Sequence, residues 1–74
     1  MSEYGYLVGF MLKDQSVGEI GIVQEVLELP QQEMAVVLWK GKEVLVPLNT
    51  AFVVSIDLAR KEVVTDLPDG LLSL

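Results

Sequence analysis

Residues 19–30 read EIGIVQEVLELP, and the choice between strand and helix for this stretch decides the fold. In an extended chain Ile20 and Ile22 share one face, whereas Val23, Leu27 and Leu29 share the other. Such a change of phase calls for a bulge or strong coiling near Gly21, where the missing side chain permits either. The competing reading is a helix over 23–29, because Val23, Val26 and Leu27 stand at helical spacing. Seven residues make a marginal helix and no clear N-cap precedes them, so a long strand over 19–29 is preferred. Pro30 ends the segment in either case.

The neighbouring segments follow the same pattern of short apolar runs divided by turn residues. YLVGFML (6–12) reads as a first strand, ended by the polar stretch Lys13-Asp14-Gln15-Ser16. MAVVLW (34–39) is a continuous apolar run, as expected of a strand buried on both faces. KGK (40–42) makes a tight turn with Gly41 at positive φ, and EVLVPL (43–48) returns antiparallel with Val44, Val46 and Leu48 on one face. Pro47 cannot donate to a ladder and marks an edge or a strand end. Asn49 is placed to cap one helical turn. FVVSIDL (52–58) alternates, with Phe52, Val54, Ile56 and Leu58 inward and Val53, Ser55 and Asp57 outward. ARKE (59–62) turns the chain into a last strand, VVTDL (63–67). About six short antiparallel strands in so short a chain would leave open edges, and closure into a small, strongly bent β-barrel removes them. The expected class is therefore all-β, a single antiparallel barrel domain over 1–74, with residues 1–5 as a flexible N-terminal end.

Residues 68–74 form a C-terminal turn and apolar tail. LPDG fits a type I turn with Pro68 second, Asp69 third and Gly70 closing it. Leu71, Leu72 and Leu74 then fold back across an open barrel end, dock on a neighbouring domain or partner, or simply fray. The expectation is a buried Leu71 and a largely exposed Leu74.

Composition removes most chemistry. The 74 residues contain no histidine and no cysteine, which excludes an imidazole-activated nucleophile, disulfides and a cysteine zinc site. None of the serines, Ser2, Ser16, Ser55 and Ser73, lies in a strand-turn-helix elbow. Glu25 with Glu28, and Asp66 with Asp69, are paired carboxylates, but so small a domain offers no evident cleft and they read as solvated surface charge. GEIG (18–21) lacks the helix and lysine of a phosphate loop. No cofactor or metal is expected. Eleven acidic against five basic residues give a net charge of −6, which favours a basic partner surface. No apolar run approaches the ~20 residues that span a bilayer, and no signal peptide is evident, so a soluble, cytoplasmic chain is expected. Direct RNA binding through Lys40, Lys42, Arg60 and Lys61, with Trp39 nearby, remains as an alternative to a protein-interaction module.

The combination of VGEIGIVQEVLEL, GKEVLVPL and FVVSIDLARKEVVTDLPDGLLSL, with its spacing, resembles the PRC-barrel domain of the ribosome maturation factor RimM. The resemblance runs from about Leu7 to Leu74 and implies a small β-barrel without catalytic activity. It also implies a role in ribosome biogenesis, namely small-subunit assembly and rRNA processing, in the manner of an assembly chaperone. The implied partner is a basic ribosomal protein of the small-subunit head, the nineteenth of that series. Contact with small-subunit rRNA and with the family's N-terminal barrel domain, absent from this chain, is implied as well. Tyr4 and Tyr6 match the family's paired tyrosines loosely. With Pro68, Asp69, Gly70, Leu71 and Leu72 they are the candidate contact residues. A stand-alone PRC barrel, such as those appended to photosynthetic reaction-centre subunits, is the third reading.

Overall fold

The computed structural model describes residues 2–72. The chain is all-β and barrel-like, as expected. After a 3-10 turn at Gly5–Leu7 come seven strands: β1 (Met11–Asp14), β2 (Gly18–Ile22), β3 (Glu25–Glu28), β4 (Glu33–Trp39), β5 (Lys42–Leu48), β6 (Val53–Asp57) and β7 (Glu62–Thr65). They form two sheets, one in the order β2-β1-β7-β6 and the other β3-β4-β5.

The stretch that opened the question is extended throughout but serves both sheets. Leu12 pairs with Gly21 and Lys13 with Glu19, so Ile20 is an extra residue opposite β1. This bulge, beside Gly21, turns Ile20 into the core and leaves Ile22 about two-fifths exposed. The chain then changes sheets over two residues. Val23 donates to the Phe10 carbonyl and accepts from the Gly9 amide, both at 2.9 Å, which prolongs the β1–β2 ladder. Gln24 donates to the Val36 carbonyl (2.8 Å) and so belongs to the second sheet. One strand of eleven residues is thus two, β2 and β3, and the helical alternative does not occur.

Gly21 also lets the two sheets touch, since a Cβ on it would lie 3.0 Å from the Leu38 carbonyl oxygen of β4. Inside, Leu7, Leu12, Val23, Val37, Val46 and Val63 are buried in one cluster that both sheets share. Lys40 (φ 53°) and Gly41 (φ 81°) are the two central residues of the hairpin between β4 and β5, the type I′ pattern whose twist matches the strands. Asn49 accepts from the amides of Ala51 and Phe52 (2.9 and 3.2 Å) and caps the turn into β6.

Several details differ from the sequence reading. The first strand begins only at Met11, because residues 5–9 are spent on the 3-10 turn and on Gly9 at φ 90°. The pairing is not wholly antiparallel, for β1 runs parallel to β7 from Met11↔Glu62 to Asp14↔Thr65. Parallel neighbours need a crossover, and here everything from β2 to β6 supplies it. A second bulge sets Val53 opposite Thr65 and Ser55 opposite Val64, so Val54 is expelled outward, half-exposed, and Val53 packs on the core instead. Leu58 belongs to the β6–β7 turn and is exposed rather than inward. The tail turn closes one residue later than expected, with the Leu71 amide donating to the Pro68 carbonyl (3.2 Å). Gly70 holds φ 87° at the third position, as in type II turns, which is why the glycine sets the register.

The close approach at Gly21 has a measurable consequence. Gly21→Val should lower unfolding stability by about 1–3 kcal/mol, because a backbone carbonyl cannot move aside as a flexible side chain would. Urea denaturation checks this, and an unchanged midpoint would show that the sheets do not meet there.

Candidate partner-binding site

The residues singled out in the sequence fall into three places. Tyr4 is half-buried and packs on the core from the N-terminal segment, which Glu33 at the start of β4 holds down. The Glu33 carboxylate accepts from the Glu3 amide (2.7 Å), the Tyr4 amide (3.1 Å) and the Ser2 hydroxyl. Residues 2–4 are therefore tied, although a flexible end was expected. Partial burial alone would raise the Glu33 pKa, but these hydrogen bonds outweigh it and hold it below the ordinary glutamate value. Burial also raises the Tyr4 phenol, with smaller contributions from Glu3, Tyr6 and Glu33. Tyr4 borders a groove of about 490 Å³, lined also by Leu29, Pro30 and the carboxylate residues Glu3, Glu28 and Glu33. Tyr6 is about half exposed and stands edge-on to the Phe10 ring, with centroids 6.1 Å apart.

The second place is the C-terminal turn. Asp14, at the end of β1, is the residue that positions it. Its Oδ1 accepts from the Leu67 amide (2.8 Å) and the Thr65 hydroxyl (3.2 Å), while its Oδ2 accepts from the Ser16 and Val17 amides (2.9 and 3.2 Å). Asp14 is 4% exposed and fully engaged. Burial pushes its carboxyl up, yet the hydrogen bonds from Leu67, Ser16, Val17 and Thr65 together hold it below the ordinary aspartate range. Beyond Leu67 the chain makes the turn and returns, so that Leu71 and Leu72 are half-buried against the core. Pro68, Asp69 and Gly70 stay exposed beside a cavity of about 90 Å³ that Asp14, Val17 and Leu72 help to line. Leu71 thus folds back onto the barrel as expected, though not to complete burial, and Leu74 lies outside the described residues.

The third place is divided. Lys40 and Lys42 flank the β4–β5 turn, with the Lys40 ammonium 5.4 Å from the Trp39 ring centre. Arg60 and Lys61 occupy the β6–β7 turn of the other sheet, where Arg60 faces Asp57 at 4.0 Å. Trp39 is partly buried on the core. Neither cavity described above is lined by any of these cations.

Sequence reasoning missed Asp14 and Glu33, whose carboxylates organise both ends of the chain. In the sequence Asp14 is one residue of the polar stretch 13–16. Its signal was an aspartate two residues before Ser16 at a strand end, a pattern that favours side chain to amide bonding within a turn. Nothing local marks Glu33, because its partners lie about thirty residues upstream. Among the described residues no cluster of three carboxylate side chains is arranged to hold a metal ion, and no helix is long and apolar enough to cross a membrane.

Comparison with known proteins matches residues 5–71 to the RimM PRC barrel domain. The ribosome maturation factor RimM of Bacteroides thetaiotaomicron is 38% identical over 72 residues, which are 96% of this chain and 40% of that protein. RimM of Amoebophilus asiaticus is 30% identical over 66 residues, 89% of this chain and 38% of that protein. A crystal structure of RimM from Pseudomonas aeruginosa, described there as a 16S ribosomal RNA processing protein, superposes with a TM-score of 0.75 at 30% identity. It covers 90% of this chain and 44% of that one. The chain spans about two-fifths of the length of these relatives.

The Asp14 network predicts both a stability loss and a pH dependence. Asp14→Ala should destabilise the fold by about 2–4 kcal/mol, because the buried Leu67 amide and Thr65 hydroxyl lose a charged acceptor and the Ser16 and Val17 amides lose their turn bond. With a native pKa below the unfolded one, the carboxylate's contribution is complete above the unfolded aspartate value and is lost as pH falls through the lower native value. Asp14→Asn should therefore be less stable at neutral pH and show a shallower acid limb. Thermal melts from pH 7 to 2 read both, and parallel acid limbs would reject the assignment.

Proposed function

Because the chain belongs to the RimM PRC-barrel family, we propose that it acts as a non-catalytic binding domain in maturation of the small ribosomal subunit, engaging a basic ribosomal protein of the subunit head. The observation that carries this reading is the family match across residues 5–71, on a chain of net charge −6. The relatives are named as ribosome maturation factors, and the structural neighbour for 16S ribosomal RNA processing. The mechanism is holding rather than turnover. An acidic domain attracts a basic protein before contact, and a few apolar or aromatic side chains then fix the pose. Tyr6, exposed at the N-terminal turn, and residues 68–72, presented by the Asp14-anchored turn, are the contact residues in this reading; Tyr4 contributes the aromatic wall of its groove.

RNA is the weaker candidate. Its four candidate cations are split between hairpin tips of different sheets, and the excess of carboxylates repels a phosphate backbone.

Calorimetric titration of this chain with the purified nineteenth small-subunit protein is expected to show saturable binding that weakens as salt screens the charges. Tyr6→Ala and Leu72→Ala should each weaken it. The absence of heat and of amide shifts at low salt would reject the partner. Binding to a small-subunit rRNA fragment that Lys40→Glu and Arg60→Glu abolish would favour the RNA reading instead.

A further inference from the structure

The outer face of the sheet β3-β4-β5 leaves two leucines on adjacent strands exposed, Leu38 and Leu45. Cross-strand pairing sets Leu27, Met34 and Pro47 side by side, and Val36 beside Leu45. Leu38 follows two residues further along β4. Alternation sends Ala35, Val37 and Val46 to the core, where each is fully buried, so this row faces away from it. Leu38 is 50% exposed and Leu45 44%, with Leu27 and Met34 partly so, whereas Val36 and Pro47 are buried within the row and add no open surface. The stripe runs roughly 14 Å along β4 and about 10 Å across three strands. That is the scale of an interface centre, smaller than the roughly 800 Å² per partner of a whole interface.

The polar side chains set within this row by the same pairing are Glu25, opposite Val36, and Glu43, opposite Leu38. Lys42 pairs with Trp39 and belongs to the other face by alternation. The stripe therefore has an acidic border and no cation in its paired positions. A second copy of the chain would bring glutamates against glutamates and add one net charge of −6 to another. A protein surface with an apolar patch bordered by lysine or arginine meets the same stripe without that penalty. The continuous run MAVVLW fits this view. Its residues are apolar on both faces of β4, yet Leu38 on the outer one is left half exposed.

We propose that the outer face of β3-β4-β5, centred on Leu38 and Leu45 and bordered by Glu25 and Glu43, is a docking surface for a basic protein partner. This rests on the ribosomal-protein reading given above, and it adds a surface distinct from the tyrosines and the C-terminal turn.

The test compares the wild-type chain with the double variant Leu38→Asp/Leu45→Asp in titrations against the nineteenth small-subunit protein. Both leucines are substantially exposed, so the variant should fold, as its amide spectrum will show. It is also more acidic than the wild type, so binding driven by charge alone would strengthen. Weakening by about tenfold or more is expected, as for loss of an apolar anchor. Glu25→Lys/Glu43→Lys should weaken binding as well and flatten its salt dependence. Should the aspartate pair not fold, Leu38→Thr/Leu45→Thr is the replacement, with the same expected direction. If the wild type binds and the leucine variants bind equally well, the docking face is wrong while the partner reading stands. If the wild type does not bind at all, both fall. Concentration-dependent dimers in sedimentation, lost in the aspartate variant, would assign the face to a second copy and overturn the proposal.

Discussion

One buried carboxylate holds the ends of this barrel together. Asp14 finishes β1, and its two oxygens are shared between its own turn and a segment more than fifty residues later. Thr65 completes the arrangement, its single hydroxyl proton shared between the Lys13 carbonyl (2.9 Å) and Asp14 Oδ1 (3.2 Å), and Gln15 donates to the Thr65 carbonyl (2.8 Å). A charge so poorly exposed would be costly if left alone, but here both its oxygens accept hydrogen bonds, from the Leu67, Ser16 and Val17 amides and the Thr65 hydroxyl. The parallel pairing of β1 with β7 depends on this junction. So does the direction in which the chain leaves at Leu67, and with it the position of residues 68–72.

A second constraint acts at the opposite sheet. Val23 and Gln24 are consecutive in sequence but bond to different sheets, and Gly21 permits the close crossing at Leu38. The barrel is bent at this point rather than closed by a uniform ladder. On the outer face of β3-β4-β5, Leu38 and Leu45 stay about half exposed.

What could be read in advance was whatever depends on neighbours in sequence. The all-β class, the hairpin at Lys40-Gly41, the cap at Asn49 and the bulge beside Gly21 all follow from local pattern and turn chemistry. The bulge at Val54 did not, because FVVSIDL alternates without fault and only its register against β7 shows which residue is surplus. Likewise the parallel β1–β7 pair is a property of the whole path of the chain, which no segment announces. The candidate contacts were partly legible. The turn at residues 68–72 was recognisable from its proline and glycine, whereas the carboxylates that position both ends were hidden because their partners are distant. Leu38 and Leu45 were assigned to strands correctly, but strand patterning could not say that these two would stay about half exposed while Val36, opposite Leu45, is buried.

The junction at Asp14 also dictates an order of events. Of all the strand pairings, β1 with β7 closes the longest loop, and the hydrogen bonds that secure it span 51 to 53 residues. Hairpins such as β4–β5 can form early from local contacts, but β1 must wait, its far side unpaired, until Thr65 and Leu67 arrive. A chain emerging from a ribosome therefore cannot complete this domain until nearly all of it is outside the exit tunnel. Folding is gated by the arrival of Thr65 and Leu67, and any truncation before Leu67 removes the latch.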